Sequence, residues 1–309
     1  MIFKFPEELM FMKNGKAVQK HSDESMKGKL CVISGSTSGV GYEAAKALAA
    51  GGANIVMVAR NKNKAQAVKN ELEKKYSVFV DYFIADFSDL KQVEKAAKAI
   101  SDKYPRIDVL INSVGIHSTK KLFNKDGIEI VFCVNHLAAF LMTELLLNTM
   151  LNSSPSRIIQ VNSEGHRFSG VKTNDLNWKK HIYSGLRSYG SSKTAQLLTV
   201  WQLAVELEGT GVTINAMHPG GVRTNIGNNN GRLYRWFLHH VTWHFLKDPK
   251  ISGEAIYYLA SAKELNKVSG KFFNLTIEEK PAKHALDPQK QKTIWDLSME
   301  MTGFVKKDE

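Results

Sequence analysis

Short apolar runs alternate with longer helical segments along most of the chain. Runs of about four to eight apolar residues are typical of strands buried on both faces of a sheet. The predicted strands are Leu30–Ile33, Asn54–Ala59, Val78–Ala85, Ile107–Ile111, Arg157–Val161, Val212–Met217 and Gly270–Leu275. The predicted helices are Tyr42–Ala50, Asn61–Lys75, Ser88–Lys103, Gly127–Met150, Leu186–Glu208, Ser252–Ala262 and Gln289–Met301. This alternation predicts an α/β fold, a doubly wound parallel sheet with helices on both faces.

A glycine-rich turn follows the first predicted strand and precedes an alanine-rich helix. Strand, glycine turn and helix in this order form a Rossmann-type mononucleotide-binding unit. Its glycines let backbone N–H groups approach a pyrophosphate, and the helix N-terminus attracts the negative charge. A glycine turn with no ligand is the alternative interpretation. The predicted cofactor-binding residues of this turn are Gly35, Ser36, Ser38, Gly39, Val40 and Gly41.

The end of the second predicted strand indicates which dinucleotide binds. An NAD-binding fold places an acidic residue there, on the ribose 2′-hydroxyl. Here the strand ends at Ala59, and Arg60 follows, with Lys62 and Lys64 close by. A guanidinium is well shaped to bind a phosphate, so the sequence predicts NADP(H) in preference to NAD(H). An arginine that merely opens a surface helix is the alternative.

Further cofactor contacts are expected where later strands end, because ligands of such sheets bind at the carboxyl ends of the strands. Asp86 and Phe87 follow the third predicted strand. The turn Asn112, Ser113, Val114 and Gly115 follows the fourth. After a later strand, Pro219 and Gly220 form a rigid turn that could lie against a nicotinamide ring.

A tyrosine and a lysine four residues apart share one face of a predicted helix, Tyr189 and Lys193. Tyr42 and Lys46 have the same spacing, but no serine-bearing strand is predicted beside them, so we interpret them as surface residues. Tyr189 and Lys193 differ because Ser163 ends a strand at the expected edge of the sheet. Asn135 is the unusual polar residue of the apolar helix Gly127–Met150, where a hydrogen-bonded core amide is the alternative interpretation.

Taken in this order, the motifs make the chain resemble the short-chain dehydrogenase/reductase family from about Lys29 to about Leu275. Residues 34–41 are similar to T-G-x-x-x-G-x-G, residues 112–115 to N-N-A-G, and residues 219–224 to P-G-x-V-x-T. The resemblance implies a catalytic set and adds two residues to the cofactor contacts. The catalytic set is Asn135, Ser163, Tyr189 and Lys193, and the added contacts are Val222 and Thr224.

Several stretches, among them VNHLAAFLMTELL and HPGGVRTNIG, look like the retinol-dehydrogenase-like branch of that family. This likeness implies NADP(H) and a lipophilic alcohol or carbonyl substrate. Tyr189 is then the acid/base, helped by the positive charge of Lys193, and Ser163 orients the substrate oxygen. The likeness also implies that Lys193 holds the nicotinamide ribose and that Asn135 fixes a water in a proton relay. Two alternatives are an NADPH-dependent C=C reductase of the protochlorophyllide-reductase type and a non-catalytic NADP-binding scaffold or sensor.

The segment 225–247 combines a glycine/asparagine hinge with clustered aromatic residues. A flexible start and an apolar body predict a lid over a lipophilic substrate, and plain helix packing is the alternative. The lid residues are Tyr234, Trp236, Phe237 and Trp243. His240 and His244 lack a third ligand, so no metal site is predicted.

Composition limits the partners and the location. The net charge is +12, but the basic residues are scattered, so we expect no nucleic-acid groove. The two cysteines, Cys31 and Cys133, fall in apolar elements and indicate free thiols in a reducing compartment. No signal peptide or membrane-spanning run is recognised, which predicts a cytoplasmic protein.

The domain organisation predicted is an N-terminal extension, residues 1–28, followed by a single domain, residues 29–309. The extension is interpreted as core packing or disorder, or as a weak contact with a membrane surface. A homodimer or homotetramer is compatible with the resemblance, and a monomer is the alternative.

Overall fold

One sheet of eight strands organises the computed structural model, which describes residues 14, 17–223, 226 and 246–305. The strand order is β3-β2-β1-β4-β5-β6-β7-β8, and every neighbouring pair from β3 to β7 is parallel. This arrangement confirms the predicted α/β fold class. The strands are β1 Leu30–Ser34, β2 Asn54–Ala59, β3 Val80–Ile84, β4 Val109–Asn112, β5 Ser156–Val161, β6 Val212–His218, β7 Phe272–Asn274 and β8 Ile277–Glu278.

Strand β8 pairs antiparallel with β7 and is missing from the sequence prediction. Two residues are too few to show an alternating pattern. The loop between the two strands is Leu275 and Thr276, with Leu275 at a φ of 55°. Hairpins of this size usually carry glycine or asparagine at such a position, so the sequence holds no recognisable turn signal.

The helices lie close to their predicted positions and cover both faces of the sheet. Side chains of α1, α2 and α6 enter one of the two hydrophobic clusters, and those of α3, α4, α5 and α7 enter the other. Strand residues alternate between the clusters, with Val32 in one and its neighbours Cys31 and Ile33 in the other. The helices are α1 Gly39–Ala50, α2 Lys62–Tyr76, α3 Leu90–Lys103, α4 Ile130–Asn152, α5 Gly185–Glu206, α6 Lys250–Ser261 and α7 Pro288–Thr302.

Helix α4 is long and apolar enough to cross a membrane by length and composition. This corrects the expectation that no run of the sequence reaches that length. However, 89% of its most apolar stretch is buried inside the fold. Its side chains pack with those of α3, α5 and α7 in one hydrophobic cluster, so α4 is a core helix of this structure.

The topology fixes the edge of the sheet at which a ligand can bind. Strand β1 lies between β2 and β4, so the chain changes direction across the sheet after β3. Ligands of doubly wound folds bind in the crevice outside the carboxyl ends of the strands at this switch point. The register places Asn112, at the end of β4, beside Ser34 of β1 and Gln160 of β5.

Candidate functional site

The loop after β1 approaches α1 so closely that only glycine fits at one position. A Cβ atom at Gly41 would lie 2.5 Å from the carbonyl oxygen of Gly35. Gly35 and Gly39 have φ values of 72° and 57°, a region in which glycine is favoured. Ser38, at the N-cap of α1, makes no side-chain capping bond within the described residues. The first turn of α1 therefore presents backbone N–H groups at the loop, as an anion site requires.

Two further features of this loop fit a nicotinamide dinucleotide. The Ser36 hydroxyl is fully buried and has no hydrogen-bond partner among the described residues. A Cβ at Gly35 would lie 3.2 Å from the backbone nitrogen of Val114, so the loop and the turn after β4 lie in near contact. The Val40 side chain is buried in the core, which leaves its backbone for a ligand. Glycine contacts and an unpartnered buried hydroxyl together suit the phosphate-bearing part of such a cofactor.

The turn after β4 is tied to its neighbours by its first two residues. The Asn112 side-chain nitrogen donates to Thr143 of α4 at 2.8 Å and to Gln160 of β5 at 3.0 Å. The Ser113 backbone nitrogen donates to the Ser34 hydroxyl at 3.0 Å. These bonds connect β1, β4, β5 and α4 directly below the switch point.

The last residue of that turn, Gly115, lies beside two of the predicted catalytic side chains. A Cβ at Gly115 would lie 3.7 Å from Asn135 Oδ1 and 3.9 Å from Lys193 Nζ. The turn therefore runs from the glycine loop to the predicted catalytic set.

The residues predicted to contact the cofactor after β2 and β3 lie at the carboxyl ends of these strands. Arg60 directly follows β2 and is exposed, as are Lys62 and Lys64 at the start of α2. The Asp86 carboxylate accepts hydrogen bonds from the backbone nitrogen and hydroxyl of Ser88, at 2.9 and 2.8 Å. The Phe87 side chain lies in the hydrophobic core, so only its backbone could face a cofactor.

Ser163, Tyr189 and Lys193 come together at the carboxyl end of β5. Ser163 directly follows β5, and its hydroxyl accepts a hydrogen bond from the Gly165 backbone nitrogen at 3.0 Å. The Ser163 hydroxyl and the Tyr189 ring both lie beside Gly165, where a Cβ atom would be 3.3 Å from Ser163 Oγ and 2.6 Å from Cε1 of the Tyr189 ring. Lys193 Nζ lies 5.9 Å from the centre of the Tyr189 ring. The one helical turn between Tyr189 and Lys193 places both side chains on the same face of α5.

Burial governs the pKa values of both α5 residues. Burial raises the pKa of Tyr189 above its ordinary value, and the nearby Ser163 hydroxyl offsets only part of the increase. The positive charge of Lys193 predicts a lowered pKa for Tyr189, and the cost of burying a phenolate reverses that direction. Burial also lowers the pKa of Lys193 to about 7. The side chain of Lys193 is only 3% exposed.

Asn135 lies in a π-helical turn, Cys133–Leu137, inside α4. Such turns are often found at functional sites, because one extra residue redirects the neighbouring side chains. Asn135 Oδ1 accepts a hydrogen bond from the Ile116 backbone nitrogen at 2.7 Å. Its Nδ2 donates to the Ile116 carbonyl and to the Ser192 hydroxyl, both at 3.0 Å. Asn135 thus joins the segment after β4 to α5.

Three polar side chains near the site are missing from the sequence prediction. Asn162 and Gln196 are buried beside Lys193. His117 packs edge-on against the Tyr189 ring, with ring centres 5.9 Å apart, and burial lowers its pKa. Two of these three residues could have been identified from their positions in the sequence. Asn162 immediately precedes Ser163, and Gln196 is three residues from Lys193 on the same helix face.

The turn after β6 approaches the site from the other side. Gly220 has a φ of 87°, and the Ser252 hydroxyl of α6 donates to the Pro219 carbonyl at 2.5 Å. Val222 is buried and forms an isolated bridge with Lys247. Thr224 and the predicted lid residues Tyr234, Trp236, Phe237 and Trp243 lie outside the described residues, as do His240 and His244. Among the described residues, no group of three or more histidine, cysteine, aspartate or glutamate side chains could hold a metal ion.

The chain is similar to a known protein family and to two human proteins. The family model described as short chain dehydrogenase matches residues 29–233. Human retinol dehydrogenase 13 is 34% identical over 288 residues, which cover 92% of this chain and 87% of that protein. Human retinol dehydrogenase 14 is 34% identical over 297 residues, covering 91% and 88%.

Two solved bacterial structures share this fold. The crystal structure of an uncharacterised protein from Mycobacterium paratuberculosis has a TM-score of 0.72 at 27% identity, over 91% of this chain and 95% of that one. A short-chain dehydrogenase from Shigella flexneri complexed with NADP has a TM-score of 0.67 at 21% identity, over 82% and 99%. At that identity the second likeness shows the fold alone.

Proposed function

Because the chain belongs to the short-chain dehydrogenase/reductase family and is retinol-dehydrogenase-like, we propose that it interconverts a lipophilic alcohol and its aldehyde or ketone, with NADP(H) as cofactor. It is an oxidoreductase acting on CH–OH and C=O groups, in a family that binds NAD(P)(H). What supports the reaction most is the proximity of the Ser163, Tyr189 and Lys193 side chains at the carboxyl end of β5.

The proposed chemistry follows from the atoms of these three residues. When bound, the reduced nicotinamide supplies a hydride to the carbonyl carbon. Tyr189 donates its phenolic proton to the carbonyl oxygen as negative charge develops there. The Ser163 hydroxyl donates a hydrogen bond to the same oxygen. In the oxidative direction, Tyr189 removes the alcohol proton.

Lys193 stabilises the phenolate that remains after proton transfer. Its ammonium has three N–H donors, and two of them are donated to the Val161 carbonyl at 2.9 Å and to Gln196 Oε1 at 3.2 Å. The third has no acceptor among the described residues, which leaves it for the nicotinamide ribose. The charge of Lys193 favours the ionised form of Tyr189, the form that burial of the phenol disfavours.

Exposed apolar side chains beside the site support a lipophilic substrate. They belong to two adjacent segments, joined by a hydrogen bond from the Tyr183 hydroxyl to the Ser118 carbonyl at 3.1 Å. One segment follows His117, which packs on Tyr189, and the other leads into α5. Ile182 is 88% exposed, and the other exposed apolar residues of the two segments are Leu122, Phe123 and Leu186.

The cofactor choice, the location and the assembly complete the proposal. The exposed Arg60 at the end of β2, where an NAD-binding protein would carry a carboxylate, supports NADP(H). The buried free thiols of Cys31 and Cys133 support a reducing compartment such as the cytoplasm, with at most peripheral contact with a membrane. We propose a dimer or tetramer in solution, which light scattering would distinguish from a monomer.

The chain contains its own matched control for the acid/base assignment. Tyr42 and Lys46 repeat the Tyr189–Lys193 spacing, but the Tyr42 hydroxyl donates to Glu71 on α2 at 2.7 Å, away from Ser163. We expect Tyr189→Phe to bind NADPH and to reduce aldehydes about 100- to 10,000-fold more slowly, while Tyr42→Phe keeps the wild-type rate. NADPH oxidation with aldehydes and ketones of increasing chain length measures both variants.

Each competing function predicts a different result in the same experiment. A wild-type rate for Tyr189→Phe would exclude Tyr189 as the acid/base. A wild-type protein that binds NADPH but turns over none of the carbonyls would support the scaffold or sensor. An unsaturated aldehyde that is converted to the saturated aldehyde rather than to the allylic alcohol would support the C=C reductase.

A further inference from the structure

A buried glutamine lies at the centre of the hydrogen bonds that join the predicted catalytic residues. Gln196 is 2% exposed and stands one helical turn after Lys193 on α5. We propose that Gln196 is a positioning residue that acts through Lys193, holding its ammonium group in the charged form and in one orientation. This inference rests on the proposed function, in which Lys193 stabilises the Tyr189 phenolate.

The amide of Gln196 contacts three segments of the site. Its Oε1 accepts hydrogen bonds from Lys193 Nζ at 3.2 Å and from Asn162 Nδ2 at 2.8 Å. Its Nε2 donates to the backbone carbonyl of Asn135 at 2.8 Å. One side chain therefore links α5 to the residue before Ser163 and to the π-helical turn of α4.

The orientation of this amide follows from its backbone neighbours. The carbonyl of Asn135 can only accept, so Nε2 of Gln196 must face it. The Asn162 amide is fixed in the same way. Its Oδ1 accepts from the Ser163 backbone nitrogen at 2.8 Å, and its Nδ2 donates to the Lys193 backbone carbonyl at 2.9 Å. Both constraints direct the oxygen of Gln196 towards Lys193.

An acceptor at this place favours the charged form of Lys193. Burial lowers the pKa of Lys193 to about 7, so each hydrogen bond that the ammonium donates affects its charge near neutral pH. The other acceptor of Lys193 in the described part of the chain, the Val161 carbonyl, belongs to the backbone and is the same in every variant. The side chain of Gln196 is therefore the acceptor that mutation can change.

The other titratable groups that face Lys193 do not supply a compensating charge. Tyr189 lies on the same helix, His136 is on α4, and His218 ends β6. Burial lowers the pKa of His136 to about 3 and that of His218 to about 4, so both are neutral at pH 7. An altered acceptor at Gln196 should therefore change the titration of Lys193 directly.

Two substitutions of Gln196 should shift the pH dependence in opposite directions. We would measure the dissociation constant of NADPH and kcat for an aldehyde between about pH 5 and pH 10. The alkaline midpoint is the pH at which each profile falls to half its plateau as Lys193 loses its proton. Gln196→Leu removes the acceptor and should move this midpoint down by about one pH unit. Gln196→Glu adds a carboxylate and should move it up by about one unit. The expected change in turnover lies in kcat rather than in the KM of the aldehyde.

Thr199→Val is the matched control on the same helix. Thr199 is buried one turn further along, and its hydroxyl bonds only to α5 carbonyls in the described structure, at 3.4 and 3.2 Å. This variant should keep the wild-type midpoint.

The proposal is overturned if both Gln196 variants keep the wild-type midpoint or if both shift it in the same direction. If Gln196→Leu does not fold, Gln196→Glu decides alone: an upward shift supports the proposal and an unchanged midpoint overturns it. If the wild-type protein reduces no carbonyl, the proposed function fails. The pH dependence of the NADPH dissociation constant still reports the titration of Lys193 in that case.

Discussion

Replacing Lys193 by methionine should abolish turnover and, at neutral pH, make the cofactor-free protein more stable. The stability effect follows from the burial of an amine that is only 3% exposed. Burial lowers the pKa of Lys193 from the model-compound value of 10.5 to about 7 in the folded protein. A fold that must bury this ammonium loses stability relative to one with an apolar side chain of similar length.

The structure sets the size of the effect. Each pKa unit corresponds to about 1.4 kcal/mol, so burial of the charged amine costs at most about 5 kcal/mol at low pH. The two hydrogen bonds from Nζ to Val161 and Gln196 stabilise the wild-type protein by about 1 to 1.5 kcal/mol each. The expected net gain in the free energy of unfolding for Lys193→Met is therefore on the order of 2 kcal/mol at pH 6.

The gain must depend on pH in a defined direction. Below about pH 7, Lys193 is protonated in both the folded and the unfolded states, so the full cost of burial is present. Between about pH 7 and 10.5, the folded protein releases the proton while the unfolded chain retains it. The unfolded state then binds more protons, so wild-type stability rises with pH and the advantage of the variant shrinks.

Urea unfolding of the cofactor-free proteins at pH 6, 8 and 10 would measure this difference, which should reach zero between about pH 8 and 9, where the remaining cost of burial equals the contribution of the two hydrogen bonds. Lys98→Met is the control, because Lys98 is exposed on α3 and should change stability by less than about 0.5 kcal/mol. A Lys193→Met protein that is less stable than wild type at pH 6, or a difference that stays constant from pH 6 to 10, would refute the reasoning.

Two other substitutions test the packing around the cofactor site and the choice of cofactor. A Cβ at Gly253 would lie 2.5 Å from the Glu43 carbonyl oxygen, so Gly253→Ala must force α6 away from α1 and should cost about 1 to 3 kcal/mol in urea unfolding. Gly221→Ala, where the nearest atom would be 3.7 Å away, should be close to neutral, and equal losses in both variants would contradict this explanation. Arg60→Asp should raise the dissociation constant of NADPH about 10- to 100-fold relative to that of NADH, because the guanidinium can no longer pair with the 2′-phosphate. Fluorescence titration with both cofactors measures this ratio, and an unchanged ratio would exclude Arg60 from the ribose site.

Local patterns in the sequence were sufficient for the parts of the site that depend on short-range constraints. The spacing around Gly41 and the pair Tyr189 and Lys193 can be recognised because a tight turn and one helical turn each involve a few consecutive residues. Gln196 is different. It is an ordinary helix-forming residue, and its role depends on contacts with Asn162 and with the backbone of Asn135, which are distant in the sequence.

In the fold, too, some elements follow from local sequence patterns and others depend on the assembled structure. The seven parallel strands follow from apolar runs, whereas β8 depends on a hairpin whose turn residue, Leu275, adopts a conformation that its type rarely favours. The direction of the pKa shift of Tyr189 also could not be predicted, because burial is a property of the assembled fold. The π-helical turn at Asn135 has no sequence signature in an otherwise continuous apolar helix.

The apolar character of α4 has a consequence for how the chain is made. Its side chains are covered partly by α7, through the Phe140–Trp295 ring contact with centres 5.1 Å apart and the His136–Ser298 hydrogen bond of 2.8 Å. Helix α7 is the last helix of the described chain to be synthesised. While the ribosome is still translating the second half of the protein, the hydrophobic surface of α4 that α7 later covers is exposed. Nascent chains that stop before Pro288 should therefore require chaperones to stay in solution.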